Sequence, residues 1–166
     1  MRTIAFAFAL VATPAFADIG IRFIEGAPKD RFTFMASPAF CASGPMAIDV
    51  NLEGSAGKLV FDVTASGAGV EVYQPLEIVS GARALLGTSN VTDGDQRLRI
   101  DLASLEPGAP FAFTIDVDDT LGAREITVSG SEIVGAEVAV QIGDQTRTAT
   151  FDETATATVG WSSCDS

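Results

Sequence analysis

Phe111-Ala112-Phe113-Thr114-Ile115-Asp116-Val117 is the stretch on which the reading of the fold turns. Phe111, Phe113, Ile115 and Val117 recur at every second position. In a strand, side chains alternate between faces, so this spacing lines one face with apolar groups. It is the strongest inward face in the chain. Glu106-Pro107-Gly108 just before it is turn chemistry, with proline presetting one dihedral and glycine accepting a positive φ.

The same period of two runs outward in both directions. Ile19, Ile21 and Phe23 alternate with Gly20, Arg22 and Ile24. Ile48, Val50 and Leu52 alternate with Asp49 and Asn51. Leu59, Phe61 and Val63 repeat the pattern, as do Val70 and Val72, then Leu98, Ile100 and Leu102. Beyond the central stretch come Ile126 and Val128, then Val138, Val140 and Ile142, and finally Ala155, Ala157, Val159 and Trp161. The small and β-branched alternation from Ala149 to Thr158 suits one strand lying close against another sheet. Residues 77–87 admit a single helical turn, interrupted by Gly81. Turn signals separate the runs at Glu53-Gly54-Ser55, Ser66-Gly67, Asp93-Gly94, Ser129-Gly130 and Gly143-Asp144. Many short strands with frequent turns predict an all-β fold, an antiparallel β-sandwich.

The first residues predict where the chain works. Met1-Arg2, a short apolar run and Ala15-Phe16-Ala17 before Asp18 have the form of a secretory signal peptide, residues 1–17. The apolar run is too short to span a bilayer. Cys41 lies too far from the expected cleavage point to serve as a lipidated N-terminal cysteine. The expected product, residues 18–166, is one exported domain, periplasmic or extracellular.

Cys41 and Cys164 are the two cysteines. Their spacing fits no metal-binding pattern, and in an oxidising compartment they read as one disulfide. Closing so long a loop is worth about 4 to 5 kcal/mol in the chain-entropy model.

The net charge is −12, and loss of Arg2 makes it one unit more negative. Such a surface repels phosphate, which disfavours nucleic acid and anionic lipid and leaves cations and basic surfaces as partners. The chain has no histidine. That removes the commonest general base and metal ligand, and with it Ser-His-Asp, Cys-His and His-based zinc chemistry.

Ser104 to Gly108 followed by Phe111 to Ile115 resembles the strand, Pro-Gly turn and aromatic strand of many bacterial immunoglobulin-like domains. Three segments resemble the small exported bacterial proteins called aggregation factor core: Phe23 to Phe32, Gly69 to Pro75, and Phe113 to Gly122 with Arg124 to Gly130. This resemblance spans about residues 20–140. The name comes from a sponge adhesion proteoglycan whose adhesion depends on calcium. The resemblance implies adhesion or extracellular-matrix organisation, with a protein or polysaccharide of the cell surface or matrix as partner, and implies no catalytic residues.

Asp116-Val117-Asp118-Asp119 is the leading candidate metal site. On a strand Asp116 and Asp118 share a face about 7 Å apart, and Asp119 begins a turn. Carboxylates grouped at a strand end, with loop carbonyls, suit the all-oxygen shell of calcium. The ordinary alternative is a set of solvated strand-end charges. Asp93 and Asp95, flanking Gly94, form a weaker oxygen-rich candidate, since Asp-Gly is first a turn former. Paired carboxylates also serve glycoside hydrolysis, but Tyr73 and Trp161 alone make a poor sugar platform. Lys29 and Arg31, in the connection from Glu25 to Arg31, are placed to pair with the acidic turns. The reading is an exported, non-enzymatic adhesion or matrix-interaction protein with calcium as the candidate cation. Its alternative is a periplasmic ligand- or protein-binding module without metal.

Overall fold

The computed structural model of the chain describes residues 17–65, 73–121 and 128–161. Twelve strands lie within them: β1 Ala17–Ile24, β2 Asp30–Ala36, β3 Met46–Asn51, β4 Val60–Phe61, β5 Glu77–Ser80, β6 Leu85–Thr88, β7 Arg97–Leu102, β8 Phe111–Ile115, β9 Val117–Asp118, β10 Glu137–Ile142, β11 Gln145–Thr150 and β12 Thr156–Trp161. One five-stranded sheet runs β12-β1-β2-β8-β5 and the other β11-β10-β3-β7-β6, with β4 and β9 forming a two-stranded ribbon. Every pairing is antiparallel. The all-β, β-sandwich-like architecture follows from the period-two pattern. Val70, Val72, Ile126, residues 1–16 of the expected signal peptide and Cys164 lie outside the described residues. Cys41 is not a free thiol.

The core is built on phenylalanine. Phe32 sits opposite Phe113, Phe34 opposite Phe111, and Phe23 opposite Phe32 in the registers of β1, β2 and β8. Phe32 and Phe113 stack with centroids 5.1 Å apart, Phe34 and Phe113 at 6.0 Å, and Phe23 tilts against Phe32 at 5.0 Å. Offset and tilted aromatic pairs add attraction beyond the area they remove from water. The second sheet closes the core with Ile48, Val50, Leu98, Ile100, Val138 and Val140, all buried. Slipping either register by one residue would turn these rings to solvent.

Two elements depart from the expectation. Residues 77–87 are two edge strands joined by a 3₁₀ turn, Ala82–Ala84, with Gly81 before it at φ 74°. The alternating run from Ala149 to Thr158 is not one strand but the corner between the sheets. Asp152 Oδ1 accepts from Thr154 N at 2.8 Å, Thr154 Oγ1 at 2.7 Å and Thr156 N at 3.2 Å, reversing the chain between β11 and β12. These bonds, the Thr154 hydroxyl first, hold its carboxyl down at about 2. Period two persists on both sides of the corner, which is why the run reads as continuous.

At one end of the second sheet two loops meet backbone to backbone. Ala56 N donates to Val134 O at 2.8 Å and Gly57 N to Glu132 O at 2.9 Å. A Cβ on Gly54 would stand 2.4 Å from Gly135 O, and one on Gly135, at φ +89°, would stand 2.5 Å from Gly54 O.

The phenylalanine ladder sets the first expected outcome. Phe113→Ala lowers unfolding stability by about 3–5 kcal/mol, measured by urea denaturation, as aromatic truncation in a filled core does. The exposed Thr148→Ala stays within about 0.5 kcal/mol of the parent.

Candidate metal centre

The chain changes strand partner at Asp116. β8 pairs with β2 as far as Ile115 opposite Asp30, and the chain then runs into β9, which pairs with β4. Phe61 lies opposite Val117 and Val60 opposite Asp118, so Asp62 faces Asp116 one step further on. Asp62 N donates to Asp116 O at 3.2 Å. Alternation does the rest. Phe61 and Val117 continue into the core, while Asp62, Asp116 and Asp118 share the opposite face of the ribbon.

One oxygen from each of these three carboxylates lies within 4.8 Å of the other two. Asp62 is only 3% exposed and Asp116 8%. The buried side-chain atoms lacking a hydrogen-bond partner among the described residues are Asp62 Oδ1 and Oδ2, Asp118 Oδ2 and Gln74 Oε1. Gln74 belongs to the same neighbourhood, its N–H donating to Val63 O at 3.2 Å. Orphaned buried acceptors are rare, because each forfeits its hydration without replacement. Three of the four belong to Asp62 and Asp118, two members of the cluster.

Asp30 adds a fourth carboxylate. It is 2% exposed, and it accepts from Gly26 N at 3.0 Å through Oδ1 and from Val117 N at 3.1 Å through Oδ2. Burial pushes its carboxyl up to about 7, reinforced by the charges of Asp116 and Asp118. Burial likewise raises Asp116 to about 7 and Asp62 to about 6, with Asp118 the next cause in both cases. Asp118 is also raised, chiefly by burial. Lys29 is the nearby countercharge that favours an ionised Asp116. It pairs with Glu77 at 2.8 Å and donates to Pro75 O at 3.2 Å, and not with the acidic turns. Among the described residues, one lysine shared with Glu77 does not neutralise this set.

The other sequence candidates fall differently. Asp119 follows Asp118 along the chain but is not among the three converging carboxylates; its Oδ1 accepts from Leu121 N at 3.0 Å, an Asx-type turn. Asp93 lies beside Asp62, yet its Oδ1 accepts from Val63 N and Thr64 N, both at 2.8 Å, and its Oδ2 from the Thr64 hydroxyl. The Thr64 hydroxyl first, and these N–H groups with it, hold its carboxyl below the usual range. It fixes the backbone that carries Asp62. Asp95 Oδ2 accepts from Thr92 N and Oγ1 at 2.8 and 2.9 Å, bonds within its own turn, and Asp95 is not among the three converging carboxylates. Tyr73 is exposed, whereas Trp161 packs edge-on to Phe40 with Arg147 over its ring at 5.4 Å.

Asp62 is the residue that sequence reasoning missed. Its signal is an acid at the outward position of the apolar run Leu59-Val60-Phe61-Asp62-Val63, indistinguishable from a solvated strand residue until its partner strand is known.

The raised carboxyls fix a pH response. The native state holds protons that the unfolded chain releases above about pH 4, so this stabilisation is present at low pH and lost as pH rises toward 7. In a chelator, melting temperature should climb as pH falls from about 7.5 to about 5, and Asp30→Asn should flatten that slope.

No protein-family model, no curated protein and no solved structure matches this chain.

Proposed function

We propose that the chain is an exported, non-enzymatic adhesion or extracellular-matrix interaction module on an immunoglobulin-like sandwich, bridged by Cys41 and Cys164. The observation that carries this reading is a core filled by the protein's own side chains. Phe32, Phe34, Phe113, Ile48 and Val140 are fully buried between the sheets. Small-molecule sites are concave and mostly apolar. A filled interior leaves recognition to the outer faces.

The outer face of the second sheet suits a polar partner. A shallow depression of about 400 Å³ is lined by Asp49, Glu53, Asn90, Arg97 and Arg99 among others. Arg97 pairs with Glu53 at 3.0 Å, and Arg99 with Asp49 at 2.9 Å and Asp101 at 3.1 Å. Paired charges of both signs on an acidic protein fit a hydrated polysaccharide or a protein surface better than a lone anion. The resemblance of Phe23 to Phe32 and Phe113 to Gly122 to aggregation factor core proteins supports the same role. No helix among the described residues is long and apolar enough to cross a membrane.

One observation favours a periplasmic protein-binding module instead. β5 and β6 are outer strands of the two sheets, joined by the short turn between them, and carry the exposed Val79 and Leu86. Such edges offer unpaired backbone groups to an added strand.

Beads coated with the purified mature chain should clump in the presence of cell-surface polysaccharide or whole cells. The chain should fractionate with the cell surface or medium, start at Asp18, and weigh two hydrogens less than its reduced form. Inert beads together with a purely periplasmic location would replace the adhesive reading with the periplasmic one.

A further inference from the structure

We propose that Asp62, Asp116 and Asp118 form a site for a hard divalent cation, calcium, which clamps the β4–β9 ribbon at the point where the chain leaves β8 and its sheet. Two independent observations meet there. Three carboxylates converge with ligand oxygens within 4.8 Å of one another. Two oxygens that share a calcium at about 2.4 Å lie at most about 4.8 Å apart. Asp62, 3% exposed, contributes an oxygen to the cluster and has no hydrogen-bond partner for either carboxylate oxygen among the described residues, and Asp118 Oδ2 is in the same condition.

The donor chemistry selects the ion class. All three side chains supply oxygen, and the chain has no histidine to recruit a softer metal. Three formal negative charges, with one nearby lysine among the described residues, exceed what a monovalent ion neutralises. Calcium tolerates irregular shells of six to eight oxygens, completed by carbonyls and water. Asp93 is held outside the shell by its bonds to Val63 and Thr64. Asp30 is held outside by its bonds to Gly26 and Val117.

Binding at this position has a structural consequence. Asp62 follows β4, and Asp116 and Asp118 belong to the continuation of β8, so one ion ties two segments distant in sequence. It replaces like-charge repulsion on the ribbon face with attraction.

The test is thermal melting of the full mature chain with calcium chloride, magnesium chloride, sodium chloride of equal ionic strength, or chelator, joined to calorimetric titration with calcium alone. Calcium at roughly a hundred times its dissociation constant should raise the melting temperature by about 5–10 °C over chelator. Asp62→Asn should weaken calcium at least tenfold and remove most of the shift, whatever its own melting temperature. Asp118→Asn supplies the same readout should Asp62→Asn not fold. Asp95→Asn should keep the full shift. Equal shifts in sodium and calcium, no calorimetric binding, or an undiminished shift in the folded variants would overturn the site. A response to magnesium alone would overturn the assignment to calcium. The adhesive reading stands apart: a calcium shift without bead clumping keeps the site and removes adhesion, and clumping with no calcium shift does the reverse.

Discussion

The register of the phenylalanines across β1, β2 and β8 is the constraint from which the rest of the architecture follows. Phe32 can stack on Phe113 only if Asp30 comes to rest opposite Ile115. That alignment leaves β2 with no residue to pair with Asp116, and the chain beyond β8 passes to β4 for its next partner. The inward alternation is unbroken, because Val117 follows Ile115 into the core. The chain thus changes partner without changing face, and the aspartates between the apolar residues stay together on the other side.

Electrostatics and packing are therefore opposed at one end of the molecule. Pulling Phe61 and Val117 inward draws Asp62 and Asp116 out of water beside one another. Buried like charges are tolerated only when something neutral or positive intervenes. Protons do this partially, which is why burial lifts Asp30, Asp116 and Asp62 toward neutral pH. Elsewhere the acids are treated differently: Asp93 and Asp152 are surrounded by N–H and hydroxyl donors that keep them ionised and turn them into fasteners for loops.

Much of this was legible in the residues. Period two exposed most strands, and Asp116 and Asp118 could be assigned a shared face because Val117 alternates with them. What stayed hidden depended on distant pairing. Nothing near Asp62 in sequence announces that Asp116 lies across from it, and Asp30 reads as a loop charge until its register with Ile115 is known. Asp119 was grouped with its neighbours by adjacency, while the backbone turns between Asp118 and Leu121 and recruits it for that turn. The corner at Asp152 was missed for the opposite reason: a side chain that caps several donors can reverse a chain without interrupting its alternation.

The contact between Gly54 and Gly135 bears on how such a protein can diverge. Each glycine is excluded from change by the carbonyl of the other, at distances no ordinary Cβ contact reaches. A lineage that substitutes one must move the facing loop, and with it the bonds from Ala56 to Val134 and from Gly57 to Glu132. The two positions are therefore bound to vary jointly or to stand still.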